Sequence, residues 1–144
     1  MMKFVLVLSA VCLSVSPSTL LAQGKAALAR EAADFVLKKF TNEAGGETLE
    51  TLTRKIESVA VKYGDEGLDA VKKVGPRSLR LIEESGEHGL NSVRLMAKYG
   101  NDAVWVVGNK GRLAIFIKYG DDAADAMIKH GEITEPLLLS LIHI

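Results

Sequence analysis

The chain has 144 residues, 18 Lys+Arg against 18 Asp+Glu, a formal net charge of zero and 48% hydrophobic residues. That length makes one ordinary domain able to bury a core. The charge balance excludes a strongly basic nucleic-acid binder and an acidic disordered tail, and the single Cys excludes an internal disulfide framework.

The N-terminal segment MMKFVLVLSAVCLSVSPSTLLAQ places a positive charge at Lys3 and an apolar run from Phe4 to Val15. A break follows at Pro17, and the small Ala22 precedes Gln23. This is the order of a secretory signal peptide, so residues 1–22 are expected to be removed on export. The run falls short of the roughly 20 apolar residues of a membrane span. Lipid attachment at Cys12 is disfavoured by Val11, which stands where such a signal wants a small residue. An uncleaved N-terminal anchor is the competing reading. Cleavage takes Cys12 away, leaving the exported part no thiol for catalysis, metal binding or a disulfide. The expected location is the periplasm, the cell envelope or the extracellular space.

Two longer amphipathic helices are expected over residues 23–63. In the first, from Gln23 to about Glu43, Ala29, Ala33, Val36 and Phe40 make one stripe that Leu28, Ala32 and Leu37 widen. Gly45-Gly46 ends it. In the second, from about Thr48 to Tyr63, the stripe is Leu49, Leu52, Ile56, Val59, Ala60 and Tyr63, and Gly64 stops it.

Residues 64–138 are repetitive. Gly64, Gly75 and Gly86 stand 11 residues apart, as do Gly89, Gly100 and Gly111, and again Gly120 and Gly131. The third residue after most of these glycines is small (Gly67, Ser78, Ser92, Ala103, Ala123). The fourth, sixth and seventh are apolar, as in Leu68, Ala70 and Val71 or Val93, Leu95 and Met96. Each unit thus reads as a helix of about two turns, near 13 Å long at 1.5 Å per residue. A Gly in the left-handed conformation is expected to close it. Asp65, Pro76, Asn101 or Asp121 starts the next unit, with Asp and Asn expected to cap free N–H groups. Cations such as Lys62, Lys98, Lys118 and Lys129 precede the closing Gly, where the helix dipole favours them. Helices this short are unstable alone and must lean on neighbours. The expected fold is therefore all-α, with short helices separated by Gly and stacked as an irregular α-solenoid or helical array. The structural residues of that array are Gly64, Gly75, Gly86, Gly100, Gly111, Gly120 and Gly131. A continuous 11-residue coiled coil shares the period, but an interior Gly costs a long helix about 1 kcal/mol relative to Ala.

No residue is assigned a catalytic role. Asp121, Asp122 and Asp125 match an Asp-Asp-x-x-Asp pattern that can hold Mg²⁺ against a diphosphate, which makes them weak metal candidates. Cap and first-turn roles outweigh that reading, because the same repeat position holds Asp65-Glu66 and Asn101-Asp102. His88 and His130 have no second His or Cys at ligand spacing. Gly108-Asn109-Lys110-Gly111 lacks phosphate-loop spacing and reads as a plain turn. Tyr63, Tyr99 and Tyr119, each before a Gly, point to structural contacts. The stretch Val104–Ile117 is the most apolar outside the signal segment. It reads as a central buried hairpin, with a membrane- or partner-facing surface as the alternative. No cofactor and no nucleic acid is expected.

The terminal hexapeptide Leu139-Ser140-Leu141-Ile142-His143-Ile144 resembles the translation of the transposase mosaic-end adapter used in sequencing libraries. The resemblance implies that the natural chain departs at about Leu138 and continues, and that His143 carries no chemistry. Separately, Lys62-Tyr63-Gly64-Asp65-Glu66, Lys98-Tyr99-Gly100-Asn101-Asp102-Ala103 and Lys118-Tyr119-Gly120-Asp121-Asp122-Ala123 carry a family likeness. Over about residues 48 to 135 the chain resembles uncharacterised bacterial exported proteins with Tyr/His-Gly-Asp-Asp/Glu-Ala helical repeats. That resemblance implies an export route and sometimes a hydrophobic anchor further on, and it supplies no activity and no site residues. The expectation is an exported, non-catalytic helical-repeat scaffold or protein-interaction module. The alternative is an envelope protein held to the membrane, whose anchor or catalytic part lies beyond Leu138.

Overall fold

The computed structural model describes residues 17–40, 42, 46, 48–131, 136 and 140. The signal segment up to Ser16, and all of the adapter-like hexapeptide except Ser140, lie outside the described residues. The chain is all-α, with no strand among the described residues.

The first helix, α1 (Pro17–Lys39), buries Ala29, Ala32, Ala33 and Val36. It stops short of Glu43, with the Phe40 amide still donating to the Val36 carbonyl at 2.8 Å. Leu28 does not widen the buried stripe and is 43% exposed. Three alanines on the inward face let α1 lie close against the next helix, and Leu28 is left at the edge of that contact.

Helix α2 (Leu49–Val74) starts at Thr48, whose side chain accepts from the Thr51 amide at 3.3 Å. Its first arm buries Leu52, Ile56, Val59 and Ala60. At Gly64 the backbone leaves helical geometry, with φ 65° and ψ −145°, and the helix bends there. The second arm buries Leu68, Ala70, Val71 and Val74. Five shorter helices follow: α3 (Arg77–Glu84), α4 (Gly89–Tyr99), α5 (Asp102–Val107), α6 (Lys110–Tyr119) and α7 (Asp121–His130). A 3₁₀ turn at Gly86–His88 spans the irregular joint between α3 and α4.

Gly64, Gly75, Gly86, Gly100, Gly120 and Gly131 all have positive φ. At Gly64, Gly75, Gly100, Gly120 and Gly131 the ψ values, from −129° to −159°, depart from the expected left-handed cap. At Gly100 φ is 61° and ψ is −132°, a region that Asn, which tolerates the left-handed helical well, does not share. The Gly100 amide donates to the Met96 carbonyl at 2.9 Å and so closes α4. Space is not limiting, because a Cβ there would meet only the Lys73 Cβ, at 3.8 Å. Gly100→Val and Gly100→Asn are both expected to cost about 1–3 kcal/mol, from backbone strain alone. Chemical denaturation of the two variants checks this, and an Asn variant as stable as the parent would refute it.

The repeat positions turn inward. Gly67, Leu68, Ala70 and Val71 are buried, as are Ser78, Leu79, Leu81 and Ile82, and Ser92, Val93, Leu95 and Met96. The two buried serines are satisfied locally. The Ser78 hydroxyl donates to the Gly75 carbonyl at 2.7 Å, and that of Ser92 reaches the Ser85 hydroxyl at 2.7 Å. The small third position matters at Gly67, where a Cβ would sit 2.7 Å from Val59 Cγ1 and 3.1 Å from the Val59 carbonyl oxygen.

Gly111 is the exception among the seven glycines expected to close helices. It lies inside the first turn of α6 and closes nothing. The boundary falls two residues earlier, at Asn109, whose side chain accepts from the Gly111 and Arg112 amides at 2.9 and 3.1 Å. Counted from Asn109, the fourth, sixth and seventh positions are Leu113, Ile115 and Phe116, and these are the buried residues of α6. The unit before it is therefore the short one, with α5 only 6 residues long. The expected Asp and Asn caps differ too. Asn101 has helical φ/ψ and makes no side-chain cap bond, and α7 begins after Gly120 without one. Asp121 instead pairs with Lys98 of α4, and Asp102 and Asp122 lie in first turns, where the helix dipole favours a negative charge.

Every substantial packing pair joins helices one or two places apart in the chain. Successive helices thus build one continuous apolar core from α1 to α7.

Candidate functional site

Among the described residues, two surface features carry most of the site's chemistry: a polar cluster and a basic groove. The first joins the ends of α4 and α7. The Lys98 ammonium lies 2.7 Å from Asp121 Oδ2, and the Tyr99 hydroxyl donates to Asp125 Oδ1 at 2.5 Å. The Tyr99 bond holds the Asp125 carboxyl below its ordinary value, helped by Lys129 and Lys98 and opposed by partial burial. Burial and the same bond push the Tyr99 phenol up. The bond to Asp121 pushes Lys98 up as well. Asp121 and Asp125 are thus occupied by α4, while Asp122 is exposed. Among the described residues no group of three or more His, Cys, Asp or Glu could hold a metal ion. The cluster clasps two helices.

The clasp has a pH signature. A lowered carboxyl pKa adds stability above the unfolded value, near 3.8, which is lost as pH falls through the folded value. A raised phenol pKa adds stability below the unfolded value of 10.0, which is lost as pH rises through the folded value. Tyr99→Phe is therefore expected to lower Tm by a constant amount between about pH 5 and 9, with the gap narrowing on either side. Thermal melts of both proteins across pH test this, and a gap that widens in acid would contradict it.

His88 and His130 stand apart. His88 Nε2 lies 3.4 Å from Glu87 Oε1, and His130 is exposed in the last turn of α7. Within the Gly108–Gly111 segment, Gly108 and Asn109 join α5 to α6, and Lys110 and Gly111 begin α6. The sole Trp, Trp105, is half-buried beneath the Arg112 guanidinium, 3.6 Å from its ring, and Arg112 Nη1 donates to the Trp105 carbonyl at 3.0 Å. The apolar hairpin of α5 and α6 spends Val106, Val107, Leu113, Ile115 and Phe116 on the core. The three tyrosines serve different contacts. Tyr63 packs its hydroxyl over Gly89, Tyr99 binds Asp125, and Tyr119 is 39% exposed.

The second feature is an open groove of about 620 Å³ between the first arm of α2 and α3. Val59, Tyr63, Leu79 and Ile82 form its floor, and Arg54, Lys55 and Lys62 stand along one wall, with Glu83 among the opposite lining residues. Glu50 lies 3.8 Å from Arg54, and the Lys62 ammonium rests 5.0 Å from the Tyr63 ring centre. Of the basic wall, the sequence singles out only Lys62, as a cation before Gly64; Arg54 and Lys55 lie in a segment whose apolar stripe is its leading signal. The signal is there: Arg54, Ser58 and Lys62 recur every four residues, one row beside that stripe.

No protein-family model matches the chain, and neither a curated protein nor a solved structure matches it.

Proposed function

We propose that the chain is an exported, non-catalytic helical-repeat module that serves as a scaffold or binds another protein. The division of labour within each repeat supports this reading. Most third, fourth, sixth and seventh residues are spent on the core, with Val104, Arg112 and Ala126 only partly buried, so most of what distinguishes one unit from the next faces outward. Cleavage after Ala22 would cut within α1 and leave in place Ala29, Ala32, Ala33 and Val36, the residues of that helix described as buried. No described helix is long and apolar enough to cross a membrane.

The test is made on the full chain in the cells that natively produce it. Intact-mass measurement of the exported protein should give Gln23 as the first residue. A photo-crosslinking residue placed in turn at Ser58, Arg80, Leu90 and Lys110 should yield discrete protein adducts from one face and not from the others. A chain retained with residues 1–22 attached, or one with no adduct from any position, would remove the basis for the module reading.

A further inference from the structure

Resting on that interaction-module reading, we infer that the groove between α2 and α3 is the docking site for an acidic, amphipathic segment of a partner protein. The occupant follows from the lining. The floor is apolar, yet Val59, Leu79 and Ile82 keep 9, 7 and 5% of their surface open at its base. The wall places Arg54, Lys55 and Lys62 against one acidic lining residue, Glu83. A segment with apolar residues on one side and carboxylates along its edge matches both features, in the manner of an amphipathic helix laid in a groove. Arg54 to Lys62 spans eight residues of helix, about 12 Å at 1.5 Å per residue, which is room for roughly two turns of a docked helix.

An anionic membrane is the other chemistry that such cations attract. The shape favours protein. The apolar floor is recessed between two helices, so it cannot enter a bilayer, whereas a docked side chain can reach it. The surface cations already have loose local contacts, Arg54 with Glu50 at 3.8 Å and Lys62 with the Tyr63 ring. An exposed ion pair such as Arg54 with Glu50 is weak and is readily exchanged for a partner carboxylate.

The experiment uses the folded exported chain and three probes. The first is a fluorescent helical peptide with a Leu/Ile stripe flanked by Glu. The second has the same stripe flanked by Lys, and the third is vesicles of phosphatidylglycerol. The Glu peptide should bind, and raising the salt concentration should weaken it. Lys55→Glu with Lys62→Glu should weaken it at least tenfold while leaving the circular dichroism spectrum unchanged. Arg80→Glu, outside the lining, serves as the control and should change binding little. The Lys peptide should bind at least tenfold more weakly than the Glu peptide. Equal binding of both peptides, no loss on reversing the two wall charges, or binding to vesicles without binding to the Glu peptide would each overturn the assignment. Crosslinked partners at Arg80 or Lys110 with none at Ser58 would move the docking face elsewhere and leave the module reading standing.

Discussion

Gly75→Val is expected to be among the most damaging single substitutions in the chain, costing about 4 kcal/mol from two independent causes. The backbone at Gly75 has φ 82° and ψ −159°, which a β-branched residue reaches only under strain. A Cβ there would also sit 2.8–3.0 Å from three ring atoms of Phe40. Phe40 follows the end of α1, so the clash drives apart α1 and α2, the most extensive packing pair of the fold. The two causes separate by experiment. In a Phe40→Ala background the steric part disappears and the strain remains, so Gly75→Val should then cost about 1–3 kcal/mol. Urea denaturation of the four proteins measures the cycle. An additive result would show that the Phe40 ring does not pack on Gly75 in solution.

The second large effect distinguishes two registers of α6. Were Gly111 the boundary of that unit, the sixth and seventh positions would be Ile117 and Lys118, and Ile117 would carry the packing. The structure puts the boundary at Asn109, with Phe116 buried at 8% exposure and Ile117 at 40%. Phe116→Ala is therefore expected to cost about 3–5 kcal/mol through lost burial and a residual cavity. Ile117→Ala should cost under about 1 kcal/mol, as surface changes generally do. Asn109→Ala removes the cap on the Gly111 and Arg112 amides and should cost about 1 kcal/mol. Gly111→Ala is close to neutral. Its helical backbone gains from the Cβ, while Asn109 Oδ1, at 3.2 Å from that Cβ, must give slightly. Reversed sizes for Phe116 and Ile117 in thermal or urea melts would restore the Gly111 register.

Both predictions rest on features that sequence and structure reveal to different degrees. The helical class was legible because apolar residues recur at helical spacing, and few alternatives bury such a stripe. The inward positions of each unit were legible for the same reason: Leu68, Leu79 and Val93 recur at one offset from a Gly. The α6 register was not. Glycine spacing alone pointed to Gly111, whereas a glycine inside a first turn and one that closes a helix look identical in a string. Which one holds depends on whether a neighbour, here Asn109, supplies the cap. The clasp of Tyr99 with Asp125 escaped sequence reading because its partners are 26 residues apart and lie on different helices. The basic groove escaped it for a like reason: Arg54 and Lys62 belong to α2, whereas Leu79 and Ile82 belong to α3.

By itself, the sequence determined that this chain is helical, where most of its breaks fall and most of the side chains its units bury, because these are local consequences of periodicity and of glycine's missing Cβ. Only the tertiary structure decided which breaks take positive φ, where α6 begins and which distant charges meet. Those outcomes depend on how one helix lies against another, and the packing of facing surfaces sets that arrangement.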